Sequence, residues 1–411
     1  MIPDFINLLF VLLYVVLILR WAQAKRIVYF LFGIHLLLPF VIVASMPNAW
    51  MTDLDVYLKI SSHIRELFAH HLGLIREAPV LPSEEASFMN QRQIVLGAGL
   101  FAMAPIPFLN SHISTGLISV LVYGVIYLFL KTNRMLEGAA LWFYMFFPSL
   151  LFYTSVGLRD VFVLLFMFVM AAWFSRGRHV AGAMASIPLI ALKPFNFILI
   201  WVAILLYLGC SSQSRSWRRL DVLGGAVLIV GGLMIVSHHF RNEWANYLSL
   251  DYLNWLIEVL NMNSFQQAPL FAGWMDVLKY IPLSGVHFFV KPLPWEAEKA
   301  VHVIQSLENL LVLVLIAGVW WTSKKRRELL RSTLFLNLLL VTGMVGYGIL
   351  VANFGTAARY RFPFVAVYVT LLLANHSQRR ICQGNPIHAL SRKKHLSIHN
   401  RQEIQLPCSE P

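Results

Sequence analysis

Apolar runs of roughly 15–20 residues recur along this chain from its first residues to about residue 375, each long enough to cross much or all of a hydrocarbon core of about 30 Å. In that medium a segment must satisfy its own backbone N–H and C=O groups, which makes the helix the spanning element for runs of this length. The expected fold is therefore all-α, a polytopic membrane helix bundle. Composition agrees. The chain is 58% hydrophobic and 13% charged, where soluble domains carry about 25% charged residues.

The net charge of +13 raises the question of nucleic acid. The basic residues argue against it, because they sit in short clusters between apolar runs, as the positive-inside rule describes. The clusters also set a topology. Arg20, Lys25 and Arg26 mark one inside turn; Lys131 with Arg134, and Arg176 with Arg178, mark the next two. Arg215, Arg218 and Arg219, then the basic run 324–331 and the tail from Arg379, complete the series. Spans at about 5–19, 27–45, 113–130, 136–154, 160–175, 180–194, 196–209, 221–236, 306–322, 332–351 and 363–375 connect these markers with correct alternation. That makes about 11 spans, N-terminus out and C-terminus in.

The apolar segment 94–109 does not fit that alternation. It holds Gly97, Gly99, Pro105 and Pro107, and is expected to be re-entrant or interfacial, where protein satisfies its backbone. Counting it as a span gives the alternative of 12 spans with both ends inside. The first twenty residues lack a basic start; their charges follow the apolar run, so they are expected to be a retained span. Residues 1–375 form the transmembrane domain, and 376–411 a basic, disordered cytosolic tail that touches anionic lipid. Cys210, Cys382 and Cys408 all fall on the inside, which argues against disulfides.

Three outward intervals remain: 46–93, 237–305 and 352–362. The second carries Trp244, Trp255, Trp274 and Trp295, suited to interfacial helices. The candidates for chemistry cluster around these intervals. Asp53 and Asp55 stand just past a span, as a general base or metal ligands; the plainer reading is a helix cap. If that stretch is helical, the two carboxylates diverge. Arg159 and Asp160 adjoin between apolar segments, where an ion pair has to be wet or engaged. Lys193, before Pro194, has no acid nearby in sequence; snorkelling to headgroups is the alternative. Arg359, Tyr360 and Arg361 form the most informative cluster, since two arginines on a short outer loop break the positive-inside pattern. Arginine suits multi-donor contact with phosphate oxygens. Gly355 allows close backbone approach. Glu308, at the head of a span, can face the same cavity. The histidines show no HExxH or comparable spacing, so no metal site is assigned from them.

Four stretches together resemble a known group: Thr52-Asp53-Leu54-Asp55-Val56-Tyr57, residues 147–160 ending in Arg159-Asp160, residues 281–295 followed by Glu308, and residues 355–363 around Arg359-Tyr360-Arg361. The chain is similar to polytopic membrane proteins of bacterial polysaccharide gene clusters, notably GT-C type lipid-linked glycosyltransferases and polysaccharide polymerases. The resemblance implies transfer of a sugar or oligosaccharide from a polyprenyl-phosphate carrier on the outer face of the inner membrane. It implies a glycan or lipid acceptor, membrane lipids as surroundings and no nucleic acid. It implies Asp53 or Asp55 as base or metal ligand, with a divalent metal the one candidate cofactor. Arg359, Arg361, Arg159 and Lys193 are the implied phosphate contacts, supported by Asp160, Tyr360 and Glu308. The family's adjacent acidic pair is here split by Leu54. A flippase of lipid-linked glycans is the alternative class; it is expected to carry internal repeats, and none is visible.

Overall fold

The computed structural model describes residues 2–45, 52–72, 92–210, 249–261, 270–297, 299–323 and 326–384. The expected span at 221–236, the basic cluster at 215–219, most of the interval 46–93 and the tail beyond 384 lie outside the described residues.

Among the described residues every regular element is helical. Five helices are long and apolar enough to cross a membrane: α1 (Ile2–Trp21), α2 (Arg26–Ser45), α5 (His112–Thr132), α14 (Ala300–Thr322) and α17 (Phe354–Gly384). Between them stand α3 (Thr52–His71), α4 (Arg92–Ala102), α6 (Ala139–Phe146), α7 (Pro148–Tyr153), α8 (Asp160–Phe174), α9 (His179–Ser186), α10 (Pro188–Leu192), α11 (Pro194–Cys210), α12 (Leu250–Asn261), α13 (Trp274–Val290), α15 (Arg326–Ser332) and α16 (Leu334–Leu350).

Two expected spans are each two helices. The run 136–154 breaks between α6 and α7, and 180–194 between α9 and α10, in both cases where proline takes the first position of the second helix. Proline lacks the N–H an interior position needs, and its fixed φ suits a helix start. The interval 352–362, expected as a loop, is non-helical only up to Asn353; Asn353 Oδ1 then accepts the Gly355 amide at 3.0 Å and caps the start of α17. Arg359 and Arg361 are therefore helical residues.

Hydropathy alone does not say which helices are central. The apolar window of α17 is 89% buried and that of α5 72%, against 28% for α1, α2 and α14, so α5 and α17 form the interior and the others present apolar faces outward. Tyr123 of α5 and Tyr144 of α6 stack at 4.5 Å, and each hydroxyl donates to the other's carbonyl at 2.8 Å. On α16, a Cβ at Gly343, Gly346 or Gly348 would strike Phe364, Leu199 or the Ser284 carbonyl; small residues let α17, α11 and α13 approach closely, as membrane helices require.

The connections sort to two ends. Arg176 donates to the Asn133 side chain and carbonyl, Gln378 to the Arg134 carbonyl at 2.7 Å, and His376 is bonded to Thr322 and Ser323. These basic connections share one end of the bundle. The N-terminal turn, where Asp4 accepts from Ser111, lies at the other.

Segment 94–109 divides into α4 and an irregular stretch. The 11 residues of α4 rise only about 16 Å. The carbonyls beyond it are taken by protein: Arg65 of α3 donates to Ala102, Ala104 and Ile106 at 3.1, 3.0 and 3.0 Å, Ser62 to Leu109 at 2.6 Å, and Asn7 to Phe108 at 2.6 Å.

Candidate functional site

At the end opposite the basic turns, four helix termini converge. Asp160 opens α8, where an acid favours the positive end of the helix dipole. Lys193 fills the break before Pro194 of α11. Arg359 lies in the second turn of α17, and Asp53 in the first turn of α3. Arg359 joins them: its Nε donates to Asp160 Oδ2 at 2.7 Å and its Nη1 to Asp53 Oδ2 at 2.8 Å. Lys193 Nζ takes the other Asp160 oxygen at 3.0 Å and stands 4.2 Å from the centre of the Tyr360 ring, a cation–π distance. The acids that Lys193 and Arg359 lack in their own stretches thus come from Asp160 and Asp53, distant in sequence.

The cluster is graded in exposure. The Asp160 and Lys193 side chains are 1% and 8% exposed, Arg359 23% and Asp53 61%, so it opens to solvent on the Asp53 side.

Arg159 adds a third cation within electrostatic reach of Asp160. Its Nε and Nη1 are buried with no hydrogen-bond partner. Gly97 of α4 makes room for it; a Cβ there would lie 2.9 Å from Arg159 Cβ and 3.0 Å from the Tyr57 ring. Burial pushes the Tyr57 phenol up to about 12, against the opposing pull of Arg159, so it stays a neutral donor. Three cations face two carboxylates, an excess of one positive charge beside two unpaired guanidinium nitrogens. That arrangement accepts an anion with several oxygens.

Other sequence candidates are placed elsewhere. Asp55 pairs with His112 at 2.9 Å; two residues apart on a helix, it and Asp53 point about 200° apart. Arg361 turns away from Arg359 for the same reason. Its Nη1 donates to the carbonyls of Phe288, Phe289 and Lys291 at 2.8, 3.2 and 2.7 Å, closing the C-terminus of α13. Glu308 Oε2 accepts from the Ser149 amide and hydroxyl at 3.1 and 2.9 Å. Glu308 and Arg361 line a separate, narrow cleft with Ser149, Asn309 and Phe289. Tyr153, within electrostatic reach of both groups, stacks on Phe362 at 4.4 Å.

Among the described residues, no three His, Cys, Asp or Glu gather as a metal site would need. Asp53 and Asp160 are bridged by a guanidinium, so this donor set does not fit a divalent ion. Residues that sequence reasoning missed are Arg65 and His112, each a single residue without a motif; Gly97 and Tyr57 stood in stretches already singled out, but not as neighbours of Arg159. No family model, curated protein or solved structure matches the chain.

Proposed function

We propose that this chain transfers a sugar or oligosaccharide from a polyprenyl-phosphate carrier to a glycan or lipid acceptor, at the outer face of a bacterial inner membrane. The observation that carries the reading is the largely buried cluster of Arg159, Lys193 and Arg359 around Asp160, with one cation in excess and Asp53 at its exposed side. A headgroup phosphate enters from the open side while the polyprenyl chain stays among the outward apolar faces. Asp53 takes the proton of the acceptor hydroxyl, and that oxygen bonds to the anomeric carbon. The bond from that carbon to the carrier phosphate breaks, its electron pair leaves with the phosphate, and Arg159 and Arg359 hold the charge. The finer topology belongs to the same reading: about 11 spans, with the site end and N-terminus outside and the basic end inside.

The test is complementation of a strain deleted for this chain, read as surface glycan. Arg359→Lys keeps the charge but cannot bridge two carboxylates and a phosphate; output is expected to fall about 10²-fold, as for loss of a preorganised donor. Full output from Asp53→Asn removes the base role.

A flippase or transporter of lipid-linked glycans is the second reading, favoured by the polar cleft at Glu308 and Arg361. It needs a continuous polar route through the bundle that joins this cleft to the cluster.

A further inference from the structure

The helix that carries Arg359 begins from a non-helical stretch, and that stretch is held by one side chain. Val351, Ala352 and Asn353 separate α16 from α17. Asn261, the last residue of α12, is 7% exposed and reaches both sides of this gap. Its Nδ2 donates to the Leu350 carbonyl at 3.0 Å and to Ile257 of its own helix at 2.7 Å. Its Oδ1 accepts from the Ala352 and Asn353 amides at 2.8 and 3.0 Å. The last carbonyl of one helix and the two amides before the next are thereby satisfied by a single carboxamide. A carboxamide offers two donor hydrogens and an acceptor oxygen with two lone pairs on one planar group, which matches these four bonds.

The same helix repeats the device once. Asn254, seven residues earlier and so on nearly the same face, donates to the Phe271 carbonyl at 2.9 Å and accepts the Phe271 amide at 3.0 Å. The helix α12 is thus a staple with two asparagine prongs. Trp255 on it is 52% exposed, which suits an interfacial position.

We propose that Asn261 is a positioning residue for Arg359. Arg359 lies six residues beyond Asn353, about 9 Å along the helix, and must meet Asp160 and Asp53 at once. A shift of the first turn of α17 by one hydrogen bond would remove that geometry. Asn261 sets the start of the turn and so the register of Arg359. This rests on the phosphate reading of the cluster, so the test has one readout that depends on it and one that does not.

The first readout is hydrogen exchange, by mass spectrometry, over residues 350–360 of the full chain in nanodiscs. Asn261→Ala is expected to accelerate exchange at Ala352 and Asn353 and onward through Arg359. Asn261→Asp keeps the acceptor and is expected to retain protection of those two amides. Asn254→Ala is the control, expected to loosen only the Phe271 stretch. The second readout is binding of farnesyl phosphate. Asn261→Ala is expected to lose about tenfold in affinity, Asn261→Asp less, and Asn254→Ala nothing. Exchange that stays confined to 352–353, or equal effects from Asn254→Ala, overturns the proposal. Failure of the wild type to bind farnesyl phosphate overturns the phosphate reading instead, and leaves exchange through Arg359 to decide the positioning role. Should Asn261→Ala not fold, Asn261→Ser, too short to reach both Leu350 and the Ala352 and Asn353 amides, takes its place against Asn254→Ala with the same expected and overturning outcomes.

Discussion

Asp160 and Asp53 share one arginine but do different work. Asp160 is fully buried between Lys193 and Arg359. Asp160→Asn leaves those cations without their carboxylate in a low-dielectric site, at a cost of about 3–5 kcal/mol. The expected outcome is a large fall in the thermal midpoint of the detergent-solubilised protein, whatever its activity. The Asp53–Arg359 pair is open to water on the Asp53 side, and exposed pairs contribute about 0–1 kcal/mol. Asp53→Asn is expected to leave the midpoint nearly unchanged while lowering glycan output. A large fall in stability for Asp53→Asn would make it a structural partner rather than a reacting group. Asp53 and Arg159-Asp160 were visible in the sequence as polar interruptions of apolar runs. That an acid of the 53–55 stretch meets an arginine of 359–361 was expected; which acid meets which arginine was not legible, because nothing local distinguishes Asp53 from Asp55 or Arg359 from Arg361.

Among elements, α4 shows how an apolar helix stops early. Its sequence is apolar, but Pro105 and Pro107 follow it and break the ladder. The exposed carbonyls then need donors, and the planar fork of Arg65 supplies three. Arg65→Lys keeps the charge and loses the fork, at about 1.5–3 kcal/mol for hydrogen bonds from a charged group. Faster hydrogen exchange across residues 102–109 is the expected result; unchanged exchange would mean that Ser62 and Asn7 suffice. The glycines and prolines announced that 94–109 is not an ordinary span. The donor that makes it tolerable, on the preceding helix, carried no signal.

For the whole molecule, the separation of a basic end from an acid-and-arginine end yields a sidedness prediction. Gly355 is exposed near the site and Ser323 lies among the basic connections. In a background lacking Cys210, Cys382 and Cys408, Gly355→Cys is expected to react with a membrane-impermeant maleimide in intact cells. Ser323→Cys is expected to react only after permeabilisation. The reverse pattern would put the cluster inside, where a lipid-linked donor on the outer face could not reach it.

Hydrophobic length and charge placement were enough to determine helices throughout the described residues, five of them long and apolar enough to cross a membrane, because an apolar segment of that length satisfies its own backbone as a helix. The same features located the polar breaks where chemistry could sit. Only the tertiary structure decided which charges meet. A helix turns by about 100° per residue, so Asp53 and Asp55, or Arg359 and Arg361, are neighbours in the chain and face different partners in space. Their assignment depends on which helices pack against each face, and that depends on contacts between residues far apart in sequence.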